Sequence, residues 1–203
     1  MNRHLRSSLL ATALALVAVL SVASAASASV ARVIHVNGEG GAAAFDTADG
    51  CIHSSAFVGA SEDVISTPGM RDTRTTAFVA LYRYDACTGA LLSSAYGSGP
   101  ATLDVDPRLA TAHVTASVPV FDQSGMSATV TVDLAWNATA DAARGTSTST
   151  YRTSAFTSVS HFSGTWRDAL AAGTVSDGST NYATGASLYA QIFSVRSGWI
   201  SIE

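Results

Sequence analysis

Residues 109–136 have the sequence LATAHVTASVPVFDQSGMSATVTVDLAW, and the fold can be worked out from this stretch. Its even-numbered residues are mostly apolar over 110–120 and again over 126–136, whereas the odd-numbered residues are mostly polar. This period of two is typical of a strand with one buried face, and in a helix the same apolar residues would spread all round the axis. Residues 121–125 separate the two runs and contain a glycine. We therefore predict an antiparallel hairpin whose even-numbered side chains point into a hydrophobic core.

The rest of the chain also has the pattern of an all-β protein. Turn signals recur at roughly the spacing of a dozen residues, and no long helical period follows the first 28 residues. Residues 75–84 carry apolar side chains at both parities, which indicates a central strand covered on each side. Further strands are predicted at 30–36, 42–45, 52–58, 96–100, 169–175, 187–195 and 199–203. This arrangement favours one antiparallel β-sandwich domain over residues 29–203, with a β-barrel as the alternative.

Three stretches are predicted to interrupt the strands. Residues 37–41 (NGEGG) are glycine-rich and are expected to end the first strand. Residues 59–74 show no period and contain Pro68-Gly69, so we expect a long loop there, and long loops often carry functional sites. Residues 138–144 are rich in alanine and form a connection that would tolerate a short helix.

Residues 1–28 have the three parts of an export signal. Arg3 and Arg6 give a basic start, residues 9–20 form an apolar run, and residues 23–28 (ASAASA) offer small-residue cleavage sites. The apolar run is shorter than a membrane-spanning helix, so we expect no permanent anchor. The sequence therefore predicts a signal peptide over residues 1–28 and a secreted, extracellular product with no membrane in its mature form.

The charge balance argues against two classes of partner. Removal of Arg3 and Arg6 with the predicted signal peptide leaves nine arginines, no lysine and fifteen acidic residues, which is a formal net charge of −6. A negative surface lacks the electrostatic footprint of a protein that binds nucleic acid or anionic lipid. We therefore expect neither as a partner.

The two cysteines, Cys51 and Cys87, are predicted to form a disulfide. An exported chain meets an oxidising compartment, and both residues lie beside turn signals where two chain segments can meet. A bridge that closes a loop of this length stabilises a fold by about 4 kcal/mol in the chain-entropy model. The alternative is a catalytic or metal-binding thiol at Cys51 assisted by the nearby His53.

The histidines do not form a recognised catalytic motif. His113 lies on the polar face of the predicted hairpin, opposite the strand that carries Asp133, so we expect a solvated cross-strand contact there. No Gly-x-Ser-x-Gly sequence is present, and no two histidines have the spacing of zinc ligands. We therefore assign no catalytic residue. The alternative is a hydrolase that uses His113 or His161 with aspartates from different strands.

The aspartates are scattered among predicted turns, and none matches a complete calcium loop. Examples are Asp46 and Asp49 before Gly50, Asp104 and Asp106, and Asp177 before Gly178. An aspartate in a turn accepts hydrogen bonds from backbone amides without any ion. We expect this capping role, and we expect no metal and no cofactor.

Five aromatic residues are candidates for a binding surface. Flat apolar rings with polar edges suit sugar rings, although the same residues on strands also pack cores. The candidates are Tyr82, Tyr84, Trp166, Tyr182 and Trp199. Such a surface needs only two or three of them to be exposed.

Five segments of the chain resemble segments of uncharacterised exported bacterial proteins. They are residues 84–87 (YDAC), 132–136 (VDLAW), 162–167 (FSGTWR), 173–181 (GTVSDGSTN) and 194–198 (SVRSG). The resemblance covers most of the chain after residue 28. It implies an exported all-β protein and brings no activity, substrate or catalytic residue with it.

These observations together favour a binding or structural role. We expect a secreted, non-catalytic module whose partner is a carbohydrate, another envelope component or an extracellular protein. The first alternative is the hydrolase described above. The second is a secreted inhibitor of another protein, which would present the segment from Pro68 to Arg74 as an exposed and firmly held loop.

Overall fold

The computed structural model of the protein describes residues 32–152 and 157–202, and these residues form nine strands without a helix. The strands are β1 (Arg32–Asp49), β2 (Ile52–Thr67), β3 (Met70–Asp85), β4 (Ala90–Val105), β5 (Thr111–Asp122), β6 (Ser127–Ala138), β7 (Ala143–Arg152), β8 (Thr157–Ser176) and β9 (Tyr189–Ile202). The predicted all-β antiparallel fold is confirmed. Within the two ranges there is accordingly no helix that could cross a membrane. The predicted signal peptide lies outside them.

The strands form a single sheet in the order β6-β5-β4-β3-β2-β1-β9-β8-β7. β6 also pairs with β8, so hydrogen bonds join eight strands, β1 to β6, β8 and β9, into a closed series that we call the circuit. β8 can serve two neighbours on one side because it is 20 residues long. Its residues 157–166 pair with β7, and its residues 169–176 pair with β6. β7 therefore lies outside the circuit.

The β5–β6 hairpin has the predicted orientation. Val114 lies opposite Leu134 and Val118 opposite Val130, and all four side chains are fully buried. The odd-numbered residues of both strands face outward, so most of them are exposed. Three even-numbered residues were expected inside and are exposed instead: Ala110, Met126 and Ala128. Ala110 and Met126 lie just outside the two strands, and Ala128 is the second residue of β6.

Two hydrophobic clusters lie on opposite faces of the sheet. The larger cluster, inside the circuit, surrounds Trp136, whose Nε1 donates a 3.0 Å hydrogen bond to the carbonyl oxygen of Ala42. Successive side chains of a strand point to opposite faces, so Ile192 belongs to this inner cluster and Phe193 to the outer one. The buried members of the outer cluster are Ile34, Val36, Ala42, Phe162, Phe193, Val195 and Ile200. β3 is buried on both faces from residue 77 to 81, as its composition predicted.

The glycine-rich residues 37–41 do not end a strand, which corrects the prediction made from the sequence. β1 runs through them to Asp49, with one register shift between Val36 and Gly38. These glycines give close packing instead of a turn. A Cβ atom added at Gly40 would collide with the carbonyl oxygen of Ala60 on β2, and one added at Gly41 would lie 2.9 Å from Cε2 of Trp136.

The predicted long loop over residues 59–74 is also wrong, because this stretch forms the end of the β2–β3 hairpin. The pairing continues to Thr67 opposite Met70, leaving only Pro68 and Gly69 in the turn. Gly69 has a φ of +82°, which is the conformation that the second central residue of a type II turn requires. The alternation was hidden because both faces of this end are largely polar. The alternative of a helix over residues 138–144 is likewise wrong, since β6 ends at Ala138 and β7 begins at Ala143.

Gly41→Ala tests whether the inner cluster depends on the close approach of β1 to Trp136. The added methyl group has to displace a fully buried ring, so we expect the free energy of unfolding to fall by about 1–3 kcal/mol. Gly59→Ala is the matched control, because the nearest atom to its added Cβ is Cε1 of Phe57 at 3.7 Å. Chemical denaturation of both variants measures the difference. An equal effect at the two positions would contradict the packing described for Trp136.

Candidate functional site

The predicted disulfide is present and joins two turns at one end of the sheet. Cys51, between β1 and β2, is bonded to Cys87, between β3 and β4, with a Cα–Cα distance of 5.4 Å. Asp85 shapes the second turn, since its Oδ1 accepts hydrogen bonds from the backbone amides of Cys87 at 2.8 Å and Thr88 at 3.2 Å. Cys51, Asp85 and Cys87 place potential metal ligands close together. Both sulfur atoms are committed to the disulfide, however, so this group offers no thiolate.

Next to this end of the sheet, aromatic side chains cover the outer face of three adjacent strands. Tyr82 of β3, Tyr96 of β4 and Phe121 of β5 are 46%, 55% and 48% exposed. The register explains their common face. Tyr96 lies opposite both Ala80 and Phe121, and Tyr82 is two residues from Ala80 along β3. Tyr84 follows Tyr82 on the same face, and we call these four residues the aromatic patch.

A polar group on β1 and β2 adjoins the aromatic patch. Ser55 lies opposite Tyr82, and His53 lies opposite Tyr84 with the two rings stacked at a centroid distance of 5.0 Å. The Nδ1 of His53 is 2.9 Å from Oδ2 of Asp46, and the hydroxyl of Ser55 donates a hydrogen bond to Oδ1 of the same carboxylate. These contacts hold His53 and Ser55 in place beside the tyrosines.

The carboxyl group of Asp46 remains ionised at neutral pH. Partial burial raises its pKa, but the hydrogen bonds from Ser55 and His53 and the charge of His53 outweigh burial. The net effect is a pKa below the ordinary value of 3.8. The edge of the aromatic patch therefore carries a fixed hydrogen-bond acceptor.

A trough of about 470 Å³ lies on the outer face of β4, β5 and β6. Thr115 and Ser117 have the same parity on β5 as Phe121, so the trough and the aromatic patch share one face of the protein. Most of the side chains that line it offer oxygen atoms: Thr102, Thr115, Ser117, Thr131 and Asp133. The outer face thus combines exposed rings with hydroxyl and carboxylate groups.

Of the five aromatic candidates from the sequence, Tyr82 and Tyr84 lie in the aromatic patch. Trp166 packs partly against the outer cluster. Trp199 stacks on His161 with a centroid distance of 6.1 Å. Tyr182 is 3% exposed in the inner cluster, and its hydroxyl donates a 3.0 Å hydrogen bond to Oδ2 of Asp177. Trp166, Trp199 and Tyr182 therefore lie outside the aromatic patch.

Tyr96 and Phe121 are the members of the aromatic patch that the sequence analysis missed. Phe121 has an odd number, and in the alternating pattern of residues 110–120 the odd-numbered side chains face outward. Its parity was therefore the signal for an exposed ring. Tyr96 gave no such signal, because its position on the outer face follows from its pairing with Phe121.

The histidines proposed for a hydrolase lie on different strands and have different partners. His113 on β5 has its Nε2 atom 2.8 Å from Oδ1 of Asp133, and both side chains are exposed. This is the predicted solvated cross-strand contact. His161 on β8 has its Nδ1 atom 2.9 Å from the hydroxyl oxygen of Thr148. In the group of Asp46, His53 and Ser55, the hydroxyl of Ser55 donates to the carboxylate of Asp46 and not to the ring of His53.

Asp177 caps a turn as predicted, whereas the prediction is wrong for Asp46 and Asp104, which lie within β1 and β4. Oδ1 of Asp177 accepts hydrogen bonds from the amides of Ser179 at 2.9 Å and Thr180 at 2.8 Å. Partial burial raises the pKa of this carboxyl group, but the hydrogen bonds that it accepts outweigh burial and lower the pKa overall. Asp122 makes the same kind of contact in the β5–β6 turn, where its Oδ1 accepts from the amides of Ser124 and Met126.

Comparison with known proteins finds no protein family whose model matches this sequence, no curated protein similar to it and no solved structure similar to its fold.

The ionisation of Tyr182 gives a test of its buried hydrogen bond. Burial, together with the hydrogen bond to Asp177 and its charge, raises the pKa of Tyr182 from 10.0 to about 12. Folding therefore favours the protonated tyrosine. This contribution to stability is complete below pH 10 and is lost as the pH rises through about 12. We expect Tyr182→Phe to lower the free energy of unfolding by about 1 kcal/mol at neutral pH.

We also expect the difference between wild type and Tyr182→Phe to shrink between pH 10 and about 12. Chemical denaturation at a series of pH values measures it, with Tyr96→Phe as a control at an exposed tyrosine. A difference that stays constant over this interval would contradict the raised pKa.

Proposed function

We propose that the protein is a secreted, non-catalytic binding protein that takes a neutral carbohydrate on its aromatic patch. The observation that carries the proposal is the exposure of Tyr82, Tyr96 and Phe121, each about half accessible, on three adjacent strands. Large apolar side chains grouped on a surface in this way mark interaction sites more often than isolated ones do.

The spacing of the rings suits a chain of sugars. Side chains at diagonal positions of neighbouring strands have Cα atoms roughly 7–8 Å apart, which is the relation of Tyr82 to Tyr96. Aromatic rings held by a rigid sheet offer flat surfaces to the C–H faces of sugar rings and lose little side-chain freedom on binding. The hydroxyl-lined trough on the same face offers hydrogen-bond partners to sugar hydroxyl groups.

The charge beside the patch favours a neutral glycan. Asp46 adjoins the patch, and Asp133 lines the trough. A carboxylate accepts hydrogen bonds from hydroxyl groups but repels other anions. The disulfide next to the patch supports the secreted location, since such bonds persist in oxidising compartments.

The turn of the β2–β3 hairpin gives one observation in favour of the inhibitor alternative. Pro68, Gly69 and Met70 are exposed at its end, and Met70 pairs with Thr67 across the two-residue turn. An exposed and held segment of this kind is what an inhibitor would insert into a partner. Met70→Ala would then abolish binding to that partner and leave carbohydrate binding unchanged.

Alanine variants of the patch test the carbohydrate proposal. We expect the purified protein to bind at least one polysaccharide in a panel of cellulose, chitin, xylan and peptidoglycan. Tyr82→Ala, Tyr96→Ala and Phe121→Ala should each weaken binding by about threefold to tenfold, because each contributes a stacking contact of about 0.5–1.5 kcal/mol. Sedimentation with insoluble polymers and calorimetry with soluble oligosaccharides measure the effect.

Tyr151→Ala is the matched control, since this tyrosine is 59% exposed but lies on β7, away from the patch. Its binding should equal that of wild type. If no polysaccharide binds, or if Tyr151→Ala weakens binding as much as the patch variants do, the proposal is wrong.

A further inference from the structure

A second concave region lies far from the aromatic patch. It has a volume of about 590 Å³ and lies where the turn between β4 and β5 meets β7, β8 and β9. The residues that define it are Arg108, Leu109, Arg144, Thr165, Ser194 and Arg196, and we call it the arginine pocket. Tyr96 lies near the middle of β4, and the pocket follows the end of this strand, roughly 30 Å further along.

The sheet brings residues from distant parts of the sequence to this pocket. Arg144 of β7 lies opposite Thr165 of β8, which lies opposite Ser194 of β9, and the same row continues to Glu39 of β1, which lies beyond the pocket lining. Arg196 lies where the register between β8 and β9 shifts: Ser163 pairs with Ser197, and the next residue, Gly164, pairs with Val195. Arg196 is therefore the additional residue of a bulge, and a bulge redirects a side chain.

The third arginine is held by the turn between β4 and β5. Oδ1 of Asp106 accepts a 2.8 Å hydrogen bond from the amide of Arg108, and the carbonyl oxygen of Arg108 is 3.4 Å from the guanidinium of Arg167, which donates to it. Leu109 has a φ of +56° and is 4% exposed, so its side chain anchors the turn in the core. A left-handed backbone is uncommon for a leucine, so the packing of this side chain fixes the path of the turn.

The charge of the arginine pocket is unusual for this protein. The chain has 11 basic and 15 acidic residues, yet three arginines and no acidic residue line the pocket. Within residues 32–152 and 157–202, no carboxylate forms an ion pair with Arg108, Arg144 or Arg196. Arg108, Arg144 and Arg196 are all exposed, so their positive charges are available to attract an anion from solution.

Thr165 provides a second and independent observation. Its Oγ1 atom is buried and has no hydrogen-bond partner among the described residues. Buried polar atoms nearly always have a partner, so an exception calls for a physical reason. Thr165 lines the pocket, and because its Oγ1 atom has no exposed surface, the side chain has to rotate about its Cα–Cβ bond before a ligand in the pocket can satisfy this hydroxyl.

We propose that the arginine pocket binds the oxyanion group of a small ligand, namely a phosphate, sulfate or carboxylate. Guanidinium groups bind such anions through paired charge-assisted hydrogen bonds, and Thr165 and Ser194 supply hydroxyl donors at the same place. The volume accommodates an organic body attached to the anion. This site is separate from the proposed carbohydrate surface and does not depend on it.

Calorimetric titration of the full-length purified protein with inorganic phosphate, sulfate and succinate, at constant ionic strength, tests the proposal. At least one of the three should bind with a stoichiometry of one, and its identity shows which oxyanion the pocket prefers. Arg144→Gln and Arg196→Gln should each weaken binding at least tenfold. Arg71→Gln is the matched control, because Arg71 is an exposed arginine on β3, outside the pocket, and this variant should bind like wild type.

Thr165→Val separates ligand binding from a structural role, because valine keeps the shape of threonine and lacks the hydroxyl. This variant should be at least as stable as wild type without ligand, since it removes an unsatisfied buried oxygen, yet it should bind the anion severalfold more weakly. The proposal is overturned if none of the three anions binds, if Arg71→Gln weakens binding as much as the pocket variants do, or if Thr165→Val binds like wild type. Unchanged polysaccharide binding by Arg144→Gln would show that the two sites act independently.

Discussion

The contact between Trp136 and β1 is the constraint on which the rest of the architecture depends. The indole ring is fully buried, and its Nε1 donates to the carbonyl oxygen of Ala42, a residue 94 positions earlier. Gly41 allows the strand to approach the ring, because any side chain there would collide with it. β6 carries Trp136 and also pairs with β8. The same ring therefore lies at the position where the sheet closes and where strands from both ends of the sequence meet.

Much of the fold could be predicted from one hairpin, because alternation is a local property. Most residues of β5 and β6 show by their own polarity which side of the sheet they face, and Pro119 and Phe121 are apolar exceptions that face outward. The glycines of residues 37–41 were misinterpreted because a glycine that avoids a clash and a glycine that makes a turn look identical in a sequence. Only the packed neighbours, Ala60 and Trp136, distinguish the two cases.

The candidate sites were harder to predict because they depend on register. Tyr82 was identified from its own strand, but its neighbours Tyr96 and Phe121 come from strands whose alignment is decided by pairing. The arginine pocket shows the same limit more strongly. Arg108, Arg144 and Arg196 are separated by 36 and 52 residues in the sequence, and a bulge places the last of them. No local pattern contains that information.

The position of the disulfide has a consequence for the order in which the chain can fold. Cys51 and Cys87 are 36 residues apart and enclose two complete strands, β2 and β3, that pair directly with each other. Their sulfur atoms can therefore meet as soon as this one hairpin has formed, before β4 and the later strands have paired. Oxidation then needs no help from the later strands, so the crosslinked hairpin provides an early template on which β1 and β4 can align.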